Sequence, residues 1–138
     1  MCSELRLFQL ISNLLPVGGF TYSQGLEWAV EHKWVDNSVS LEKWLESNLN
    51  LSITQMDLPI LIRLFNAFEK NDFTSVIKWT EQLLVRRETF ELRREENQRG
   101  KALYKILSDL GIKIPSELKS CVSSCQLAGF AIAANRWY

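Results

Sequence analysis

A chain of 138 residues has the size of one domain. With 46% hydrophobic and 23% charged residues it is not a disordered chain, and 6 Gly and 3 Pro exclude a collagen-like or linker-like one. Sixteen basic and sixteen acidic residues leave no formal net charge. The basic excess that gives nucleic-acid binders most of their affinity is therefore missing, and no nucleic-acid partner is expected.

The first residues, Met1-Cys2-Ser3-Glu4-Leu5-Arg6, lack the basic start and long apolar run of a signal peptide. No apolar run approaches the ~18 residues that span a membrane. Three cysteines, an odd number, argue against a secreted disulfide framework. The expectation is a cytoplasmic protein with reduced thiols and no membrane association.

The elements predicted along the chain are all helices. Leu7, Leu10, Ile11 and Leu14 share one face of a helix over 4–15. Pro16, Val17, Gly18, Gly19 and Phe20 break it in a tight turn. A second helix is predicted over 23–32. Ser38 or Ser40 is placed to cap a third, which carries Leu41, Trp44, Leu45, Leu49 and Ile53.

Asp57-Leu58-Pro59 reads as a helix restart, with Asp57 as cap and the proline in the first turn. Leu61, Ile62, Leu64, Phe65 and Phe68 line the buried side of that fourth helix. Asn71-Asp72 introduces a fifth, with Phe73, Val76, Ile77, Trp79, Leu83 and Leu84 inward. One long helix is predicted over 86–110, ended by Gly111, and Pro115 starts the last.

No period-two alternation or hairpin signal competes. The fold class is all-α, a compact multi-helix bundle forming a single domain over 1–138. An apolar helical run reaches the end at Asn135-Arg136-Trp137-Tyr138 without a stop signal, so the expectation is part of a longer protein.

Several chemistries are missing. There is no Walker A loop, no His-Glu-x-x-His motif and no Cys-x-x-Cys pair. No catalytic residue, resident metal or cofactor is expected. His32 is the only histidine and reads as an ordinary helix-end residue. Cys121 and Cys125, spaced i, i+4, would share a helix face; two packed core thiols are favoured over a soft-metal pair.

Arg86 through Lys101 mixes both signs, with Arg87–Glu91 and Glu95–Arg99 at pairing distance. It reads as either a solvated face or an interaction surface suited to carboxylates. Gly100 in mid-helix costs up to ~1 kcal/mol against alanine. Its presence predicts that another backbone approaches closely there. The stretch from Pro16 to Ala29 holds Gly18, Gly19 and Gly25 and reads as an anion-binding turn or a helix–helix corner. Composition alone does not choose between them.

The stretch Leu15-Pro16-Val17-Gly18-Gly19-Phe20-Thr21-Tyr22-Ser23-Gln24-Gly25-Leu26-Glu27-Trp28-Ala29 resembles the N-terminal signature of the urease accessory protein family UreF. Asp57-Leu58-Pro59, Arg87-Glu88-Thr89, Glu91-Leu92-Arg93, Arg99-Gly100, Ser124 through Gly129 and Arg136-Trp137 resemble its later landmarks, in order. The resemblance implies a non-enzymatic role. UreF-like proteins bridge a UreD (UreH)-type accessory protein and the GTPase UreG to apo-urease during nickel metallocentre assembly, and regulate the GTPase. They form homodimers at full length and extend into further C-terminal helices and a tail, which this chain is expected to lack.

By the same resemblance, Glu27 is the candidate for coupling to the GTPase, with Tyr22, Ser23 and Gln24 in the same partner-facing corner. Arg93 and Arg99 are read as intramolecular braces, and Gly18, Gly19, Gly25 and Gly100 as structural. The alternative function is a direct nickel carrier using Cys121 and Cys125.

Overall fold

The computed structural model describes residues 3–19 and 22–138. Among them, all regular structure is helical: α1 (Ser3–Leu10), α2 (Leu26–Glu31), α3 (Ser38–Ser47), α4 (Leu58–Glu69), α5 (Phe73–Arg86), α6 (Phe90–Asp109), α7 (Lys119–Ser124) and α8 (Gln126–Trp137). A π-helical segment, Asn48–Asp57, joins α3 to α4, and a short 3-10 turn, Ser116–Leu118, leads into α7. The all-α bundle is the fold observed. Met1, Cys2, Phe20 and Thr21, including the Phe20-Thr21 part of the signature stretch, lie outside the described residues.

The core lies where α4 packs on α8 and α6 packs on α7 and α8. Leu64, Leu103, Leu107, Leu118, Val122 and Ile132 are fully buried there. Ala128, Gly129, Ala131 and Ala133 give α8 a small-residue face that lets α4 and α6 approach. A Cβ on Gly129 would lie only 2.6 Å from a Leu103 methyl.

Local chemistry sets most boundaries. The Asn37 side chain accepts the N–H groups of Val39 and Ser40, and Ser40 Oγ accepts Asn37 N–H in return. This capping box makes Asn37 the cap of α3, with Ser40 as its third residue, in place of Ser38 or Ser40. Asp72 caps α5 through Ser75 N–H at 3.0 Å. Gly111 ends α6 with φ 81.

The structure corrects the predicted elements elsewhere. The first helix stops at Leu10, and Ile11 and Leu14 are 70% and 91% exposed, so only Leu10 of the predicted face enters the core. The second helix is shorter than predicted. On α4 the buried residues are Ile60, Leu64, Ala67 and Phe68, while Ile62 faces outward. On α5 they are Val76, Thr80 and Leu83.

The long helix expected over 86–110 is α6, Phe90–Asp109, and it starts four residues later than expected. Arg87 leaves the helical region with ψ 92, and Thr89 caps α6 by accepting Leu92 N–H at 3.1 Å. A β-hydroxyl residue beside charged helix formers is a sufficient local start signal. The expected pair Arg87–Glu91 does not form, because Arg87 is not on α6. The last helix also breaks, at Cys125 (φ −139, ψ 115).

Candidate functional site

Both breaks converge on the junction at Asp57. Asp57 sits where the π-helical segment meets α4, Arg87 between α5 and α6, and Cys125-Gln126 between α7 and α8. Asp57 makes no side-chain cap bond. Its Oδ1 instead lies 3.0 Å from Arg87 Nη1, off the axis of a hydrogen bond, so the contact is ionic.

The other edge of the Arg87 fork donates to Glu96 Oε2 through Nε at 3.2 Å and Nη2 at 3.0 Å. Glu96 Oε1 accepts Gln126 N–H at 2.8 Å, the first free donor of α8. One buried carboxylate thus ties α6 to the start of α8 and to the α5–α6 break. Beside it, Arg99 Nη1 donates to Glu95 Oε1 at 3.0 Å, the i, i+4 pair read from the sequence. Arg93 Nη1 donates to the carbonyl oxygens of Arg87 and Glu88 at 2.7 and 3.2 Å, which braces the link between α5 and α6.

Asp57, Arg87, Glu95, Glu96 and Arg99 line a cleft of about 550 Å³ shared by Asn48, Met56, Leu92, Gln126 and Phe130. Arg99 Nε is buried there without a partner. Burial raises the Asp57 carboxyl, an effect that Arg87 only partly offsets, whereas Glu96 and Asp57 together hold the Arg87 guanidinium firmly charged.

The corner at residues 22–27 adjoins this cleft. Ser23 O accepts Leu26 N–H at 3.1 Å in a tight turn, with Gln24 at φ 52 and Gly25 at φ 90. Two consecutive positive φ values are what a type I′ turn requires. Gly25 is therefore explained by its backbone conformation, since a Cβ there would meet nothing within 4 Å. Gly18 takes φ 73, while Gly19 is not in the left-handed region and has open space around it.

Gln24 reaches the rim of the cleft. Tyr22 and Ser23 are half-buried, and Glu27 is exposed in the first turn of α2. Of the residues singled out, Gln24 and Arg99 share the cleft; Tyr22, Ser23, Glu27 and Arg93 do not line it.

Gly100 meets the predicted close backbone. A Cβ there would sit 2.7 Å from Cys125 N and 2.9 Å from Ser123 O. His32 stacks on Trp28 at 4.0 Å, and its Nδ1 lies 2.9 Å from Trp28 O. The cysteine pair does not share a helix face, because the chain breaks at Cys125. Burial pushes the Cys125 thiol up to about 12, and no cluster of three potential metal-ligating side chains occurs among the described residues. A nickel-carrier reading is therefore disfavoured.

Sequence reasoning missed Asp57, Arg87 and Glu96 as one cluster. Part of the signal was present: Glu96, Gly100, Leu103 and Leu107 fall on one buried stripe of α6, so an acid stood in register with the core.

Comparison with known proteins decides the family. A UreF family model matches residues 35–138. A urease accessory protein UreF from Escherichia coli O157:H7 is 47% identical over 134 residues, covering 97% of this chain and 60% of that protein. This chain belongs to the UreF family.

UreF proteins of Alcanivorax borkumensis and Pseudomonas putida are 47% and 44% identical, each covering 96% of the chain. The chain spans about three fifths of the length of the UreF relatives it matches. The UreF model begins at residue 35, beyond the corner at 22–27, while the pairwise matches cover nearly the whole chain.

Proposed function

We propose that this UreF-family chain acts as a non-enzymatic scaffold and regulator in urease maturation. In this reading it links a UreD/UreH-type accessory protein and a UreG-type GTPase to apo-urease while nickel is delivered. Nickel is cargo, held by the partners. The full-length protein is a homodimer, works in the cytoplasm and needs no cofactor. No helix among the described residues is long and apolar enough to cross a membrane.

One observation carries the reading. From α2 to the π-helical segment, large apolar side chains stand in solvent: Trp28, Val30 and Trp34 are 48–67% exposed, and Leu45, Leu49 and Leu51 are 46–61% exposed. Apolar side chains exposed in this number along one stretch of chain support a protein that works by being covered by another polypeptide. The region supplies Tyr22, Ser23, Gln24 and Glu27 as polar contacts at its edge, with Gly18, Gly19 and Gly25 shaping it. Arg93, Arg99 and Gly100 support the body behind.

Size-exclusion chromatography with light scattering, on this chain mixed with a UreD-type protein and the GTPase, tests the proposal. Co-elution at a defined mass is expected. Separate elution would place the determinants in the part of the relatives that this chain does not span. Glu27→Ala, made at the matching position of a full-length relative, should leave circular dichroism unchanged and lower urease activation; normal activation would remove Glu27 from the interface.

A further inference from the structure

The segment between α3 and α4 is a π-helix of 10 residues, Asn48–Asp57. The π form is rare and mostly limited to single turns inserted in α-helices, frequently at functional sites. Its wide turn leaves backbone atoms across the axis without close contacts, which weakens a run this long. Few side chains support it. The Thr54 hydroxyl donates to Leu49 O five residues back at 2.8 Å, a bond particular to the π register. Leu49, Leu51 and Ile53 point outward, and no residue of the segment is buried.

Upstream, α3 also buries no residue and runs directly into the π segment, with Ser47 and Asn48 both in the helical region. Residues 22–57 therefore form a lightly buried arm, with Ala29 and Val35 its buried side chains; it follows Leu15 and Val17, which pack on the core, and meets the body again at Met56 and Asp57. Downstream, α4 is anchored on α8 with Leu64 and Ile60 buried. The change from arm to body falls at the residue whose carboxylate meets Arg87. Arg87 also holds Glu96, which holds Gln126 N–H. The guanidinium joins the last residue of the π run to a buried carboxylate of the body.

We infer that Arg87 is a latch: its guanidinium holds the π-helical segment in register on the body, and so sets where the arm bearing the Gln24–Glu27 corner stands. In an α-helix each residue turns ~100°. A change of register around Asp57 would swing its carboxylate away from Arg87 and carry α3 around with it. An ion pair is well suited to this task, because buried pairs select one arrangement among several even where they add no net stability. The inference rests on this chain's own bonding and does not depend on which partners it meets.

Amide hydrogen exchange followed by mass spectrometry tests it. Arg87→Met leaves the Asp57 and Glu96 carboxylates facing each other without a cation. Exchange in peptides covering 48–57 should rise at least about tenfold, while peptides covering 60–69 and 126–134 stay within about twofold of wild type. Adding Asp57→Asn removes the uncompensated charge on the arm but does not restore the guanidinium, so 48–57 should stay more than about threefold above wild type. Unchanged exchange in 48–57, an equal rise in 60–69 and 126–134, or a return of 48–57 to within about threefold of wild type in the double variant would each overturn the latch. Should Arg87→Met not fold by circular dichroism, Arg87→Lys, which keeps the charge but loses the three-nitrogen fork, is read on the same peptides by the same criteria.

Discussion

Gly100 shows how far one residue can be read before any fold is known. A glycine inside a run of good helix formers is a cost that needs a compensating contact. The compensation here is the α7–α8 junction, whose backbone occupies the space a Cβ would need. Gly100→Ala should destabilise the protein by about 1–3 kcal/mol in urea unfolding, despite alanine's higher helix propensity, because overpacking against backbone is not relieved by a rotamer change. A neutral result would show that α6 can move away without loss. Gly25 teaches the complementary lesson. Its packing role was a fair expectation, but its φ of 90 is what selects it. Sequence marks the position of a glycine and does not say which of its two freedoms is used.

At the scale of elements, existence and type were legible and the ends were not. Apolar spacing located α4, α5, α6 and α8, since the core demands one face of each. The break at Arg87 falls just past the expected boundary, whereas the one at Cys125 was missed, because it lies in a run with helical spacing and is neither a glycine nor a proline. Tertiary bonds support them: Arg93 binds the carbonyls of Arg87 and Glu88 between α5 and α6, and Glu96 receives the first free N–H of α8.

Asp57 was misread for the same reason, as a cap when its partner is 30 residues away in sequence. Its titration gives a test with a definite sign. Burial raises the Asp57 carboxyl above its ordinary 3.8, with Arg87 offsetting part of the rise. A carboxyl raised on folding binds its proton more tightly in the folded state. Its contribution to stability is full below the unfolded value and is lost as pH rises through the folded one. Asp57→Asn should therefore gain stability relative to wild type as pH rises from about 3.5 to 7, read from urea midpoints at constant slope. A gap that narrows over that range would mean that the attraction of Arg87 outweighs burial.

Across the whole molecule, the contrast is between a well-filled C-terminal body and a thinly packed N-terminal part. Leu64 and Val122 are fully buried, whereas Leu14, Trp34 and Leu51 stand largely in solvent. Leu64→Ala should cost about 2–5 kcal/mol, and Trp34→Ala within about 0.5 kcal/mol, by chemical denaturation of the isolated chain. Equal costs would mean that the N-terminal part is better packed than its exposure indicates. Cys125 reports on the same body. With its thiol pushed up to about 12 and no exposed surface, it should alkylate near pH 8 only through global unfolding. Its labelling rate should then follow denaturant as the unfolding equilibrium does, while a rate independent of denaturant would reveal a local opening at the α7–α8 junction.

The sequence by itself determined the helical class, the main core stripes, the close approach at Gly100 and, through its ordered motifs, the resemblance to UreF proteins. Each of these is written in local spacing or in residue identity, which the chain carries without its fold. Only the tertiary structure decided where the helices break, that Arg87 joins Asp57 to Glu96, and that Cys121 and Cys125 do not face each other. Those depend on charges and donors brought together from positions far apart in the chain. Their pairing is set by the direction each helix leaves its break, which no periodicity records.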